Sequence, residues 1–322
     1  MAVREEDLAR RELVASIASM YYLQGLDQNA IAAGVGVSRS SVSRMITEAR
    51  QTGIVQITVE RPLPRDHDLE ERLAAAFPGC SALVVADPAQ GVPTAAVDRV
   101  GALAARYLQD HLPAGGTLAI SWGETVAAVA GALPEDPSSQ ALVVQMIGAS
   151  GTSRPAIDGP ELAQTFARRL GGVHRTLNAP LVVDDAALAQ ALLRQPPLAS
   201  VLSAAATADL ALIGLGTLEP EGSSLLRAGY VGRDELARCA ELGVVGDAAG
   251  HMLDAAGAVV PSDLGERMVT LDEASLRGIP RVVAVALGRS KVRIIRASLL
   301  SGLVHVLVSD AATVRAVLAQ RS

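Results

Sequence analysis

Residues 28–47 read QNAIAAGVGVSRSSVSRMIT, and the order of their side chains decides what the N-terminal part of the chain can be. Ile31, Val35, Val37, Val42 and Met45 are apolar at spacings that let two short helices close a small core, and Ala32 is small where those helices must cross. Asp27 predicts an N-cap for a helix over 28–33, and Ser38 a second N-cap for a helix running to about Gln51. Gly34 and Gly36 break the first helix, and Gly36 falls in the turn, where a positive φ costs glycine little. The remaining face of the second helix is polar and basic, with Arg39, Ser40, Ser43 and Arg44. This is the side-chain logic of a helix-turn-helix, whose second helix enters the major groove of DNA. There Arg reads guanine bidentately, and Ser reads more permissively or binds phosphate. Backbone N–H groups at the Ser38 end offer a further phosphate contact.

Working outward, a helix is expected over 8–23, with Leu13, Ile17, Met20 and Tyr21 near helical spacing and Gly25 ending it. Gly53 terminates the reading helix, and 54–59 (IVQITV) alternates like a strand, which predicts a wing or brace. Pro62 and Pro64 mark a boundary, and Leu69, Leu73 and Phe77 share one face of a connecting helix over 66–77. From about residue 80 the texture changes. Strand candidates at 82–86, 117–120, 142–146, 210–213, 281–286 and 303–308 alternate with helical candidates at 94–112, 125–133, 161–170, 185–193, 233–242, 291–300 and 311–320. Such alternation implies a mainly parallel sheet covered on both faces, with ligands at the carboxyl ends of the strands. The expected domains are a DNA-binding domain over 1–61, a linker helix over 62–79, and an effector-binding and oligomerisation domain over 80–322.

Composition narrows the classes. The 322 residues are half hydrophobic and carry a formal charge of −6, which excludes a disordered chain. Two cysteines exclude a disulfide scaffold and a four-thiolate zinc site, and the five histidines are scattered without metal-ligand spacing. No Ser–His–Asp set can be assembled. Neither a metal nor another cofactor is expected. No run of apolar residues is long enough to span a membrane, and the N-terminus lacks the apolar segment of a signal peptide, so a cytoplasmic protein without membrane partners is expected. The acidic balance argues mildly against nucleic acid until the charge is segmented. Residues 1–61 hold seven Arg and seven acids and are neutral, residues 38–50 are +2, and the whole −6 lies beyond residue 61. Only one of the 28 basic residues is a lysine, Lys291.

Residues 20–59 resemble the N-terminus of SorC-family (SorC/DeoR-type) bacterial transcriptional regulators. The resemblance rests on Tyr21-Tyr22, the helix from Gln28 to Ala32, the Ser38 to Arg44 segment and the strand from Gly53 to Ile57, and it continues to the C-terminus. It implies DNA contacts from Gln28, Ser38, Arg39, Ser40, Ser43 and Arg44. It also implies a C-terminal Rossmann-like domain that binds a sugar or sugar phosphate, similar in fold to phosphosugar isomerases and deaminases and to CoA transferases. The segments matching its ligand loops begin with Ser121-Trp122-Gly123-Glu124-Thr125, which follows a strand and opens a helix, a setting that suits an anion. Glu124 would repel a phosphate there, so either it points outward or the ligand carries less charge than a phosphosugar. The Gly148-Ala149-Ser150-Gly151 loop follows the next strand, and Asp158 either accepts from sugar hydroxyls or caps a helix. Gly214 and Gly216 let backbone approach a ligand, Asp247 can hydrogen-bond hydroxyls, and Asp254 orders a turn. Lys291 falls where the family carries a ligand-facing lysine, at the carboxyl end of a strand.

Three functions are compatible with these residues. The first is a ligand-controlled transcription regulator, a repressor by default, that binds a palindromic operator as a homodimer or homotetramer and answers to a sugar, sugar alcohol or sugar phosphate. The second is an isomerase- or deaminase-like enzyme with an accessory helical domain, although no paired acid and base accompany Lys291. The third is a DNA-binding oligomer that has lost its ligand. The first alone uses every motif.

Overall fold

A computed structural model describes residues 2–55, 63–88, 95–151 and 154–320 and divides the chain into two units, residues 1–62 and 63–322. Among its described residues the first unit has three helices, α1 (Ala2–Tyr22), α2 (Gln28–Val35) and α3 (Arg39–Gln51). Asp27 caps α2 by accepting from the N–H groups of Asn29 and Ala30, and Ser38 caps α3 by accepting from Ser41 N–H. Gly36 closes α2 with a φ of 75°, and both Gly36 and Val37 donate N–H to the Ala32 carbonyl. Ile17, Ile31, Val42 and Ile46 form the buried centre, with Leu13, Ala32, Val35, Val37 and Met45 packed around it. The strand expected over 54–59 falls mainly on residues 56–62, which lie outside the described residues.

The second unit runs α4 (His67–Ala76), β1 (Ser81–Val85), α5 (Ala96–His111), β2 (Thr117–Ile120), α6 (Glu124–Ala132), β3 (Leu142–Gln145), α7 (Gly159–Arg169) and β4 (Val173–Arg175). It continues with α8 (Ala186–Leu193), α9 (Pro196–Ala206), β5 (Leu210–Ile213), β6 (Leu215–Thr217), α10 (Ser224–Arg227), α11 (Arg233–Glu241), β7 (Val244–Ala248) and β8 (His251–Asp254). It ends with α12 (Asp263–Glu266), α13 (Glu273–Gly278), β9 (Val282–Val285), α14 (Val292–Leu300), β10 (Val306–Asp310) and α15 (Ala311–Ala319). Seven strands pair in parallel in the order β1-β10-β9-β5-β2-β3-β4. Both faces are covered, as the apolar runs require: along β9, Val282 and Ala284 face a core with α4, α14 and α15, while Val283 and Val285 face one with α5, α6 and α7.

Several features depart from the sequence reading, among them the edge strand β4, which it did not anticipate. A second sheet, β6-β7-β8, is antiparallel and has no counterpart in it. Its strands carry Gly216, Gly246 and Asp247, which are poor strand formers and break the apolar pattern. Helix α9 starts on Pro196-Pro197, a pair that reads as loop but is tolerated in a first helical turn. Helix α4 is not a free linker: Leu69, Leu73 and Phe77 belong to the core of the second unit.

Helices α5 and α6 form a single block. A Cβ on Gly101 of α5 would lie 2.7 Å from the backbone carbon of Ala128 of α6, so only glycine fits. Backbone cannot step aside as a flexible side chain can. Gly101→Ala should therefore destabilise the second unit by about 1–3 kcal/mol, read by chemical denaturation. An unchanged midpoint would mean that the two helices are not in this contact.

Candidate ligand cleft and helical face

The parallel sheet reverses its direction of growth once. From β2 the chain adds β3 and then β4 on one side, and from β5 it adds β9 and then β10 on the other. The connections leave β2 and β5 in opposite directions, and a crevice opens between their carboxyl ends, as it does at the switch point of open α/β sheets. A cleft of about 840 Å³ lies there. Ser121 spans its base: its Oγ accepts from Gly214 N–H at 3.1 Å, which ties the turn after β2 to the turn after β5. Ser121 is buried, and its hydroxyl also donates to the Trp122 carbonyl at 3.4 Å.

Of the residues expected at the ligand, Ser121, Trp122, Gly123, Glu124 and Thr125 line the cleft, as do Gly214, Gly216, Asp247 and Lys291. Gly148 and Asp158 do not. Gly148 is pressed against Pro180, whose carbonyl oxygen lies 2.5 Å from the position of a Cβ. Asp158 is buried and fully engaged, accepting from Ser150 N–H and Oγ–H, from Gly151 N–H and from Gly159 N–H. It caps α7 and folds the loop before it. Asp254 orders the β8 turn by accepting from the N–H groups of Ala256 and Ala258.

The antiparallel sheet brings one acid of the cleft, Asp247, to its base. Gly216 pairs with Asp247 across β6 and β7, and a Cβ on Gly216 would lie 1.8 Å from Asp247 Oδ1. The missing side chain is the space the carboxylate occupies. Asp247 Oδ2 accepts from Gly250 N–H at 3.1 Å. Burial pushes the Asp247 carboxyl above its ordinary value, partly offset by that N–H, Lys291 and His251. Lys291 donates from Nζ to the Leu215 carbonyl. Burial lowers its pKa and Arg227 adds to this, while Asp247 and Glu124 work against it. The two groups thus face each other at the cost of desolvation on both sides.

Glu124 carries an answer that its sequence position could not give. It lines the cleft and is paired with Arg154, Oε1 to Nη1 at 2.7 Å. A cation therefore accompanies the carboxylate at the N-terminus of α6. Sequence reasoning missed Arg154, along with Arg227, Asp98 and Ser290, all on the cleft wall. Arg227 sits on a four-residue helix with no periodicity to read, and Asp98 lies on α5, outside any strand end.

In the first unit, Arg39, Ser40, Ser43 and Arg44 are exposed along one side of α3, while Val42, Ile46 and Ala49 are buried on the other. Arg44 Nε donates to the Ser40 carbonyl at 3.3 Å, which lays the guanidinium along the helix. Ser38 is exposed, with its hydroxyl occupied by the cap and by Ser40 and Ser41. Gln28, the first residue of α2, is half-buried. Among the described residues no group of acids, histidines or cysteines could hold a metal ion, and no helix is long and apolar enough to cross a membrane.

Comparison with known proteins adds four findings. Residues 61–319 match the family described as "Putative sugar-binding domain". The chain is 35% identical over 317 residues to the transcriptional regulator LsrR of Enterobacter sp. (strain 638), covering 97% of this chain and 94% of that one. It is 27% identical to the erythritol catabolism regulatory protein EryD of Brucella abortus, over 99% of each chain. Among solved structures, the full-length sorbitol operon regulator SorC from Klebsiella pneumoniae aligns with a TM-score of 0.71 at 24% identity, over 95% of this chain and 98% of that one, and shows the shared fold.

The contact between Gly216 and Asp247 can be tested without any ligand. Gly216→Ala should cost about 1–3 kcal/mol, because the methyl group displaces the carboxylate. In the double variant with Asp247→Ala the space is free again, so the two effects should be strongly non-additive in thermal denaturation. Simple additivity would place the carboxylate elsewhere.

Proposed function

This chain belongs to the sugar-binding domain family of SorC/DeoR-type transcriptional regulators, and we propose from that premise that its N-terminal unit reads an operator while the cleft of its second unit senses a small carbohydrate. It is a sugar-responsive transcription regulator and not an enzyme. The first unit acts as a helix-turn-helix: α3 enters the major groove, with Arg39 and Arg44 on base edges or phosphates and Ser38, Ser40, Ser43 and Gln28 beside them. Residues 63–322 form the effector-binding and oligomerisation domain. The protein works in the cytoplasm as a homodimer or homotetramer, so that two recognition helices meet a palindromic site.

The observation that carries the effector reading is the pair of half-desolvated charges at the base of the cleft. Lys291 and Arg227 suit a phosphate or carboxylate, while Asp247 and the Glu124–Arg154 pair suit hydroxyls. The effector is therefore a sugar, sugar alcohol or sugar phosphate, and no cofactor takes part. Binding to one state of the second unit shifts operator affinity by linkage, relieving repression. The enzyme alternative leaves α3 without a purpose, and all the curated relatives named above are regulators.

Two outcomes are expected. Arg39→Ala and Arg44→Ala should each weaken binding to DNA from upstream of the chain's own gene by about 1–3 kcal/mol, with unchanged circular dichroism. Undiminished binding at moderate salt would remove α3 from the interface. Lys291→Met should abolish the thermal stabilisation given by ribose 5-phosphate, fructose 6-phosphate or sorbitol 6-phosphate, which for wild type reaches about 2.7 kcal/mol at a hundredfold excess over Kd. DNA binding by the unliganded variant should persist. A normal stabilisation would take Lys291 out of the site.

A further inference from the structure

The outer edge of β1 is closed by an unusual partner. Residues 64–66 run antiparallel beside it, with Asp66 N–H donating to the Val84 carbonyl and Ala86 N–H to the Pro64 carbonyl, both at 2.9 Å. The next edge donor, Val84 N–H, meets no strand. It donates at 2.8 Å to Oε1 of Glu70, a buried carboxylate on α4. The same carboxylate accepts two bonds from Arg65, at 2.8 and 2.7 Å, and one from His67 Nδ1 at 3.0 Å. Burial acts to raise the Glu70 pKa, but Arg65, the Val84 N–H and His67 outweigh it, so the group stays ionised. Arg315 of α15 adds a second tie, reaching Asp87 at 2.7 Å and Asp66 at 3.8 Å. The segment where the second unit begins is thus held to β1 by two backbone hydrogen bonds and by the Glu70 carboxylate, which takes the next edge N–H in place of a strand.

That edge is also tied to the cleft. Arg99, in the first turns of α5, donates from Nη2 to the Ala86 carbonyl at 2.6 Å. The neighbouring Val97 and Asp98 line the cleft. Gly101 lets α5 pack closely against α6, whose first residues Glu124 and Thr125 also line the cleft, so this wall is one packed block. A continuous chain of bonds therefore runs from the cleft wall through Arg99 to Ala86. From there it passes to Pro64 and, through β1 and Val84, to Glu70 and Arg65. It ends at the residues joined covalently to the first unit.

We propose that Glu70, Arg65 and Arg99 are positioning residues for regulation: they form the clamp through which occupancy of the cleft changes the DNA affinity of the first unit. They touch neither ligand nor DNA. The proposal rests on the regulator reading above. Its physical content is a contiguous hydrogen-bonded network between a cleft wall and a domain junction, and a coupling measurement can accept or reject it. The coupling of such sites is commonly 5- to 150-fold in affinity.

The test uses the full chain, DNA from upstream of its own gene, and ribose 5-phosphate, fructose 6-phosphate and sorbitol 6-phosphate as probes. DNA affinity is measured by fluorescence anisotropy with and without each sugar phosphate, and sugar-phosphate affinity by calorimetry without DNA. In wild type, at least one probe should change DNA affinity fivefold or more. In Arg99→Met and in Glu70→Gln that ratio should fall to within twofold of unity, while each separate affinity stays within about threefold of wild type. Arg99→Lys, which keeps a donor for the Ala86 carbonyl, should restore most of the ratio. A purely structural role would lower the melting temperature and leave the ratio unchanged, and an unchanged ratio in folded Arg99→Met overturns the proposal even if Glu70→Gln fails to fold. Wild type that binds DNA but answers to none of the probes would overturn the sugar-phosphate form of the effector reading, and the clamp argued from it; that failure is visible before any variant is made.

Discussion

The hydrogen bond from Gly214 N–H to Ser121 Oγ sits at the one place where the sheet changes direction, and the arrangement of the second unit follows from that place. Crossovers leave β2 and β5 on opposite sides, so a crevice opens between their carboxyl ends. The turn from β2 to α6, residues 121–125, and the turn after β5, residues 214–217, become its walls. The turn after β9 arrives from the far side and brings Lys291. A short antiparallel sheet then fills what the parallel one leaves open, and it carries Asp247 to the base of the cleft.

The charges in this cleft are balanced and not uniformly positive. Lys291, Arg227 and Arg154 face Asp98, Asp247 and Glu124. Desolvation strains Lys291 and Asp247 in opposite directions, toward their uncharged forms. Desolvated charges of this kind carry a stability cost that a complementary ligand can offset. The first unit is built on a different principle. Its buried centre is a handful of aliphatic side chains, and much of its definition comes from two side-chain caps and a left-handed glycine. Its net charge is zero, against −6 for the rest of the chain, and Asp27 at the start of α2 is close enough to Arg39 for the two charges to interact.

Much of this was legible in the sequence where signals are local. Asp27, Gly36 and Ser38 announce α2 and α3 because capping and left-handed turns depend on a few adjacent residues. The strands at 117–120, 210–213 and 282–285 announce themselves because a parallel strand buried on both faces must be apolar at every position. The strands of the second sheet were hidden for the opposite reason. Gly216, Gly246 and Asp247 serve close approach and the cleft, so their composition contradicts strand propensity. Asp158 and Gly148 match the ligand loops by type and position, yet each is used up locally, one by four hydrogen bonds and the other by contact with Pro180.

By itself, then, the sequence determined the helical N-terminal unit, the parallel α/β core and the lysine at position 291, because caps, periodicity and strand-end position act over a few residues. Only the tertiary structure decided that Arg154 neutralises Glu124, that Gly216 makes room for Asp247, and that Glu70 closes the edge of β1. Each of these joins residues from different elements, and a Coulomb contact or a steric gap depends on distance in space, which spacing along the chain does not encode.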